Sequence, residues 1–333
     1  MSEPAQFSFG DPEPVALQHL ADYEGVLLDP MSQYYHPPVP MAALVRMSRA
    51  NAHHGSCVGF KANMLGRFFK AGRHLPMQDF KAAATDFVTT GNAYLQVFRN
   101  RLGTITRLGH LQALNMRAGP DDTYRMLTGF NRPDIEFRPG EVLHIRQYDA
   151  LQQIYGVPDW LGGLQAALLN QDATLFRRRY YANGCHLGFI LYTQGAHIDD
   201  VTEEEIKQKI EASKGVGNFR SMYLNLKSGG DKAVQVIPVG HEPQRDDFLR
   251  IKQVSADDVI VAHRVPPALA GVKPDNVGGF GDIEKIARIY IQNELIPLAQ
   301  PFEHLNLDLP ASMCLVFDWP DPLIKKSEQS LNN

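Results

Sequence analysis

The sequence has few cysteines, no excess of basic residues and no long hydrophobic run, and each absence excludes a class of protein. Cys57, Cys185 and Cys314 are odd in number and far apart, which argues against a disulfide framework and fits a reducing compartment. Lys plus Arg number 33 against 37 Asp plus Glu, whereas proteins that grip DNA electrostatically usually carry a basic excess. No apolar run reaches the roughly 18 residues of a membrane helix, and the N-terminus shows no signal-peptide pattern.

Motifs for catalysis and for cofactor binding are also missing. The sequence has no GxxxxGK[ST] phosphate loop, no HExxH or CxxC metal pattern and no GxSxG nucleophile elbow. Gly278–Gly281 follows a predicted helix and a double proline instead of a strand, which favours a mobile loop over a phosphate site. His53 and His54 are adjacent and cannot share a helix face, so we interpret them as solvent or subunit contacts. The sequence therefore predicts no cofactor and no metal, and is more typical of a scaffold than of an enzyme.

The first half of the chain has the pattern of an α+β unit behind an extended arm. Seven of the 22 prolines fall in the first 40 residues, so this arm should lack regular structure. Its aromatic residues indicate that it lies on a neighbouring surface. Helices are predicted over 41–70, with a break at Gly55 or Gly59, and over 77–90. Periodicity then predicts strands at 93–99, 105–114, 124–127 and 141–145.

The second half predicts two long helices that bracket a small insert. The first runs from Asp159 to Tyr181, with a leucine face formed by Leu161, Leu164, Leu168 and Leu175. The second runs over 244–263. Between them the sequence predicts strands at 187–193, 222–226 and 233–239, and a helix over 202–214 with a capping box. After them come a glycine-rich loop over 271–281, a helix over 283–296 and a strand over 313–317.

The sharpest basic feature is the run Arg177, Arg178 and Arg179 at the end of the first long helix. Cations are favoured at a helix C-terminus even when they only face solvent. Such runs also occur at sites that contact nucleic acid or another subunit. Both interpretations stay open on the sequence alone.

The order of several short motifs resembles the portal proteins of tailed bacteriophages and prophages, and most of all the subfamily from temperate contractile-tailed phages. The motifs are Phe7–Pro12, Tyr155–Leu161 followed by Tyr180–Gly184, Ile260–Pro267 and Gly278–Asp282. Each is weakly specific alone, but their order and spacing are specific. The resemblance spans residues 7 to about 323.

The resemblance implies a portal fold and a cyclic ring, usually of twelve subunits, at one vertex of the capsid. Double-stranded DNA would pass through the ring without sequence readout. By their order the regions would be an arm (1–42), a wing (43–160), a first stem helix (161–184), a clip (185–241), a second stem helix (242–264), a tunnel loop (265–281), and a long helix with a return strand to the wing and a short tail (282–333). Few residues remain after this for the crown domain of larger portals.

The resemblance also implies partners and candidate residues. The partners would be the large terminase ATPase, head-completion or adaptor proteins, the major capsid protein and the scaffold, with no membrane. The protein would act in the virion, and in the host cytoplasm during assembly. Candidates for the DNA channel are Lys273 and Asn276 in the loop and Arg245, Arg250 and Lys252 in the stem. Candidates for the surface of the clip that faces the terminase or the adaptor are Glu203, Glu204, Lys207 and Lys214. Candidates for assembly contacts are Arg177, Arg178 and Arg179. For the channel candidates, plain surface charge or an ion pair between subunits is an equally good interpretation. For the clip candidates the alternative is packing of one clip on another, and for the three arginines it is a solvated helix C-terminus.

Two other functions stay open on the sequence. One is an enzyme of DNA metabolism or a hydrolase with a cryptic active site, which predicts perturbed carboxylates or a metal in a deep pocket. The other is a monomeric adaptor, which predicts a small species in solution.

Overall fold

The computed structural model of the 333-residue chain describes residues 26–129, 132–182, 189–194, 222–226, 234–238, 245–269 and 283–320. The chain divides into a larger unit, up to Leu161 and again from His263, and a smaller unit from Gly162 to Ala262. The smaller unit is therefore an insertion in the sequence of the larger one. Both units mix helices with sheets, which confirms the α+β class.

The described part of the N-terminal arm forms a short hairpin, although the sequence predicted no regular structure there. Its strands, β1 (Leu28–Asp29) and β2 (Tyr34–Tyr35), pair antiparallel. The hydroxyl of Tyr155 donates a hydrogen bond to the carbonyl oxygen of Tyr35 at 2.6 Å. Val26 and Tyr35 also pack against a buried cluster that includes Tyr155. The prediction that the arm lies on a neighbouring surface is therefore confirmed for these residues.

Three helices follow the arm: α1 (Met41–Ala50), α2 (Ala52–Phe68) and α3 (Met77–Thr90). The break between α1 and α2 falls at Asn51, so the prediction of a break at Gly55 or Gly59 is wrong. Asn51 has an extended backbone, and its side chain caps α2 by accepting a hydrogen bond from the backbone N–H of His54 at 2.9 Å. Gly55 instead permits close packing, because a Cβ there would lie 2.2 Å from the carbonyl oxygen of Ser48.

Two antiparallel sheets complete the first part of the larger unit. The central sheet has the order β4-β3-β8 and contains β3 (Asn92–Arg99), β4 (Ile105–Leu111) and β8 (Val142–Arg146). The smaller sheet contains β5 (Met116–Ala118), β6 (Tyr124–Met126) and β7 (Ile135–Phe137). The sequence predicted β3, β6 and β8 nearly as observed, extended β4 to residue 114, and missed β5 and β7.

Aromatic rings that are far apart in the sequence pack together in the core of the larger unit. Phe80 of α3 stacks on Phe69 with ring centroids 3.8 Å apart, and it contacts Phe302 edge-on at 5.4 Å. Phe317 lies against both Phe69 and Phe80. Residues near the C-terminus thus complete a core that the first hundred residues begin.

The long C-terminal helix extends further than the sequence predicted. It runs through α6 (Ile283–Tyr290), one π turn (Ile291–Leu295) and α7 (Ile296–His304). Pro297 does not end it, because a new α-helical segment begins after the π turn and Pro297 is the second residue of that segment, where a missing N–H is tolerated. The strand predicted over 313–317 is also absent, and a 3₁₀ turn (Ala311–Met313) and one bridge between Phe69 and Phe317 occupy that stretch.

The smaller unit contains two long helices and a three-stranded sheet. Its helices are α4 (Leu164–Ala182), preceded by a 3₁₀ segment (Asp159–Gly163), and α5 (Arg245–Ala262). Its sheet has the order β10-β9-β11 and consists of β9 (Phe189–Gln194), β10 (Met222–Leu226) and β11 (Val234–Pro238). The three predicted strands are confirmed, whereas the helix predicted over 202–214 lies outside the described residues.

Candidate functional site

Hydrogen bonds to the larger unit fix the segment Tyr155–Trp160, which leads into α4. The side-chain amide of Asn92 donates to the carbonyl oxygen of Gly156 at 2.8 Å, and its oxygen accepts from the Gly156 N–H at 2.7 Å. The buried indole of Trp160 donates to the carbonyl oxygen of Val88 at 2.9 Å. Because both partners come from the α3–β3 region, this segment has a defined position in the larger unit.

The backbone around Gly156 leaves no room for a Cβ atom, and a substitution can test this. A Cβ at Gly156 would lie 2.0 Å from the carbonyl oxygen of Gly91 and 2.6 Å from the backbone nitrogen of Gln147. We expect Gly156→Ala to lower the free energy of unfolding by about 1–3 kcal/mol, as overpacking does. Gly59→Ala is the control: Gly59 lies inside α2 with open space around it, so alanine should stabilise by up to about 1 kcal/mol. Urea unfolding curves followed by tryptophan fluorescence measure both, and equal midpoints would contradict the steric argument.

Two neutral histidines pair in the interior beside Trp160. Nδ1 of His54 lies 2.7 Å from Nε2 of His263, and each side chain is 1% exposed. The His54 ring contacts the indole of Trp160 edge-on, with centroids 4.2 Å apart. Burial lowers the pKa of His54 to about 4 and that of His263 to about 3. One ring therefore donates and the other accepts, and the prediction that His54 contacts solvent or a subunit is wrong.

Four charged side chains form an ion-pair network in the same region of the larger unit. The ammonium of Lys61, whose side chain is 1% exposed, lies 3.3 Å from Oδ2 of Asp159. Arg264 donates to that same oxygen, and its Nε donates to Oε2 of Glu294 at 2.8 Å. Asp159 precedes α4 and Arg264 follows α5, so the network ties both chain segments that flank these helices to α2 and to the π turn. We call these four residues, with His54 and His263, the polar cluster.

A seam of small and polar residues joins α4 to α5. The side-chain amide of Asn170 donates to the hydroxyl of Ser255 and to the carbonyl oxygen of Lys252, both at 2.9 Å. At one end of the seam, a Cβ built on Gly163 would lie 2.3 Å from the Cβ of Ala262. These pairings show that the two helices run antiparallel. The buried face of α4 contains Ala167 and Asn170, whereas Leu168 of the predicted leucine face is exposed.

Several large apolar residues of these helices are exposed, although Val259 and Ile260 of α5 are buried. The most exposed ones are Leu168, Leu169, Ile251, Val254 and Val261. On α5, positions 251, 254 and 261 fall on one side of the helix, and Val254 and Val261 are 54% and 70% exposed. Contiguous exposed apolar residues of this kind mark interaction surfaces.

Four cations predicted as site residues have described side chains on α4 and α5. Arg178 and Arg250 are exposed, and Arg177 is half-buried. The pKa of Lys252 is lowered, first by partial burial and then by the neighbouring charge of Arg177. The structure thus brings together a residue predicted for assembly and one predicted for the DNA channel.

Comparison with known proteins gives one consistent result. The phage portal protein family matches residues 75–327. The probable portal protein of Haemophilus phage HP1 is 40% identical over 293 residues, which cover 86% of this chain and 85% of that protein. The probable portal protein of Escherichia phage P2 is 38% identical over 302 residues, which cover 90% and 87%. The chain belongs to the phage portal protein family.

Solved structures agree with this family assignment at the level of the fold. A chain from the neck of a native gene transfer agent particle, computed with C12 symmetry, matches with a TM-score of 0.57 and 18% identity over 95% of this chain and 92% of that one. An HK97-family phage portal protein from Corynebacterium diphtheriae matches with a TM-score of 0.56 and 16% identity over 81% and 93%. The predicted portal fold is therefore confirmed.

Several residues predicted from the portal resemblance cannot be placed. Lys273, Asn276, Glu203, Glu204, Lys207 and Lys214 lie outside the described residues. Arg179 and Arg245 lie in α4 and α5, whose side chains are not described at those positions. Sequence reasoning also missed the polar cluster. The one available signal was that Asp159 and His263 stand within the portal-like motifs themselves.

Within the described residues, no group of three or more His, Cys, Asp or Glu could hold a metal ion. None of the helices described is long and apolar enough to cross a membrane.

Proposed function

We propose that this member of the portal family closes into a ring of twelve subunits whose central channel carries double-stranded DNA into and out of the phage head. The observation that carries the proposal is the exposed apolar stripe of α5, formed by Ile251, Val254 and Val261. A cyclic head-to-tail ring covers such a stripe with the adjacent subunit, whereas a free monomer leaves it in water. The C12 symmetry used for the similar gene transfer agent neck supports the number twelve.

In this proposal α4 and α5 form the stem, and some of their cations face the channel. The pKa of Lys252 is lowered first by partial burial and then by the charge of Arg177, and a passing phosphate would relieve the repulsion between these two cations. Arg245 and Arg250 belong to the same set, together with Lys273 and Asn276 of the tunnel loop. A net charge of −4 keeps the DNA contacts weak and replaceable, so that the duplex slides without sequence readout.

The other regions follow the order of the portal family. Residues 43–160 would be the wing, and residues 185–241 the clip, where Glu203, Glu204, Lys207 and Lys214 would meet the large terminase and later the head-completion proteins. Arg178 and Arg179 would make contacts between subunits. The capsid and scaffold would surround the ring at one vertex of the virion, after assembly in the host cytoplasm. The ring itself would be a structural protein, with the energy for packaging supplied by the terminase ATPase.

Multi-angle light scattering tests the ring directly. Twelve protomers of 37.2 kDa give a particle of about 450 kDa, and we expect that mass for the native chain. Val254→Glu places a charge in the stripe, and we expect it to shift the protein to subunits or small oligomers because burying an unpaired charge is costly. Leu102→Glu is the control, since Leu102 is exposed at the β3–β4 turn. A native chain that stays near 37 kDa, or a Val254→Glu variant with unchanged mass, would contradict the proposal.

A further inference from the structure

A groove of about 500 Å³ opens in the larger unit between the arm hairpin and the β5–β6–β7 sheet. One wall is formed by Gln33 and Tyr34 of the arm, and the floor by Tyr124 and Phe137, which are largely buried. Pro120 and Pro139 also line it. A groove walled by aromatic rings and prolines is a surface on which extended, proline-rich segments pack well.

The arm passes closely over the turn that forms one end of this groove. A Cβ at Gly119 would lie 3.3 Å from the carbonyl oxygen of Gln33 and 2.5 Å from the hydroxyl of Thr123. The backbone of Gln33 has φ 56°, and in the turn Asp121 and Asp122 have φ 53° and 58°. Each side of the groove is thus formed by a tight turn, one in the arm and one in the sheet. The groove lies next to the contact between the arm and the sheet.

The charges around the groove are few and partly neutralised. Arg125 donates to Glu136 across the sheet at 2.7 Å. Arg138 is an exposed cation on the rim, and Asp121 is an exposed anion in the turn. The groove thus offers aromatic and proline surface beside four charged side chains, and the exposed cation Arg138 is placed to meet an acidic residue.

The chain that precedes Val26 has the matching chemistry. Its 25 residues contain Pro12 and Pro14, the pair Phe7 and Phe9, five acidic residues and neither Lys nor Arg. The described chain begins at Val26, two residues before the arm hairpin. From Val26 back to Pro14 is a span of twelve residues, which can extend about 40 Å. The segment can therefore turn back across the groove of its own subunit.

We infer that residues Phe7–Pro14 dock in this groove of their own subunit, with the phenylalanines over Tyr34 and Tyr124 and the acidic residues near Arg138. The inference is independent of ring formation, because every contact lies within one chain. It gives a role to the Phe7–Pro12 motif, which the proposed function leaves unused.

Hydrogen–deuterium exchange of the full-length protein, resolved by mass spectrometry, tests the inference. In the native chain we expect amides over 8–14 to exchange at least roughly tenfold more slowly than an unstructured peptide, since docked anchors dominate such interfaces. Tyr34→Ser combined with Arg138→Glu should abolish that protection, and Phe7→Ser combined with Phe9→Ser should speed exchange over 119–125. Leu102→Ser, at an exposed turn outside the groove, should change neither. Unchanged exchange over β3 in each variant shows that the fold is intact.

Three results would overturn the inference. The first is exchange of residues 8–14 at the unstructured rate in the native chain. The second is protection that survives the groove substitutions, because the segment then docks elsewhere. The third is a mixed assembly in which native chains protect the groove of Phe7→Ser/Phe9→Ser chains, because the occupant then comes from a second copy. None of these results depends on the mass of the assembly, so the failure of the ring proposal would be seen separately.

Discussion

Replacing Asp159 with asparagine should lower the free energy of unfolding by about 3–5 kcal/mol, which is the usual result of breaking a buried ion pair from one side. Asp159 accepts from both Lys61 and Arg264, and the Lys61 side chain is 1% exposed. The variant therefore removes the anion that lies 3.3 Å from the buried ammonium of Lys61. Urea unfolding followed by tryptophan fluorescence is a suitable measurement, because Trp160 and Trp319 are both buried in the larger unit.

A matched exposed pair provides the control for this experiment. Lys70 and Asp318 are 3.8 Å apart, with side chains 59% and 52% exposed. Asp318→Asn should change stability by less than about 1 kcal/mol, as exposed ion pairs do. Removing both charges in Lys61→Met/Asp159→Asn should recover part of the loss, since no unpaired buried ammonium remains. Equal effects of Asp159→Asn and Asp318→Asn would show that the polar cluster is not a buried network.

Stability should also fall steeply as the pH drops below about 6.5. The ordinary pKa of histidine is 6.5, whereas burial lowers that of His54 to about 4 and that of His263 to about 3. Between these values the unfolded chain binds two protons that the folded chain does not. The stabilisation is therefore complete above pH 6.5 and is lost progressively down to about pH 3, at up to about 2.7 kcal/mol per pH unit from these two groups while both contribute.

The slope of unfolding free energy against pH between 6 and 4.5 measures this effect. Burial also lowers the pKa of His144 to about 3, so His144 adds to the slope of the native chain. His54→Gln removes one of these buried titrating histidines and should reduce the slope by up to about 1.4 kcal/mol per pH unit. His36→Gln is the control, because the His36 side chain is 57% exposed and its loss should leave the slope unchanged. A flat profile in the native chain would mean that the histidine pair is protonated in the folded state.

The elements that the sequence predicts well are those with a strong local signal. The helix α3 begins after Pro76 and ends at Gly91, which has φ 75°, and both residues mark helix ends in any sequence. The antiparallel pair β3 and β4 has an obvious turn between its strands. The break at Asn51 follows the same chemistry, because asparagine is a preferred N-cap. Glycine was the wrong indicator of the helix break, because Gly55 instead allows α1 and α2 to pack closely.

The polar cluster could not be predicted because its members are distant in the chain. His54 and His263 are separated by 209 positions, and Lys61 and Asp159 by 98. No period or spacing relates such residues, so only the tertiary fold shows that they meet. The leucine spacing in α4 has a related limit: amphipathic spacing identifies an apolar face, but it does not say whether that face meets the same chain or another one.

The arrangement of the aromatic core also determines when the larger unit can fold during synthesis. Phe302 fills the space between Phe80 and Phe87, yet it leaves the ribosome about 140 residues after Leu161. At roughly 5–20 residues per second, the first segment waits on the order of ten seconds with an incomplete interior. Translation of the whole insertion therefore precedes closure of the unit that contains it, and the nascent chain must avoid aggregation throughout that interval.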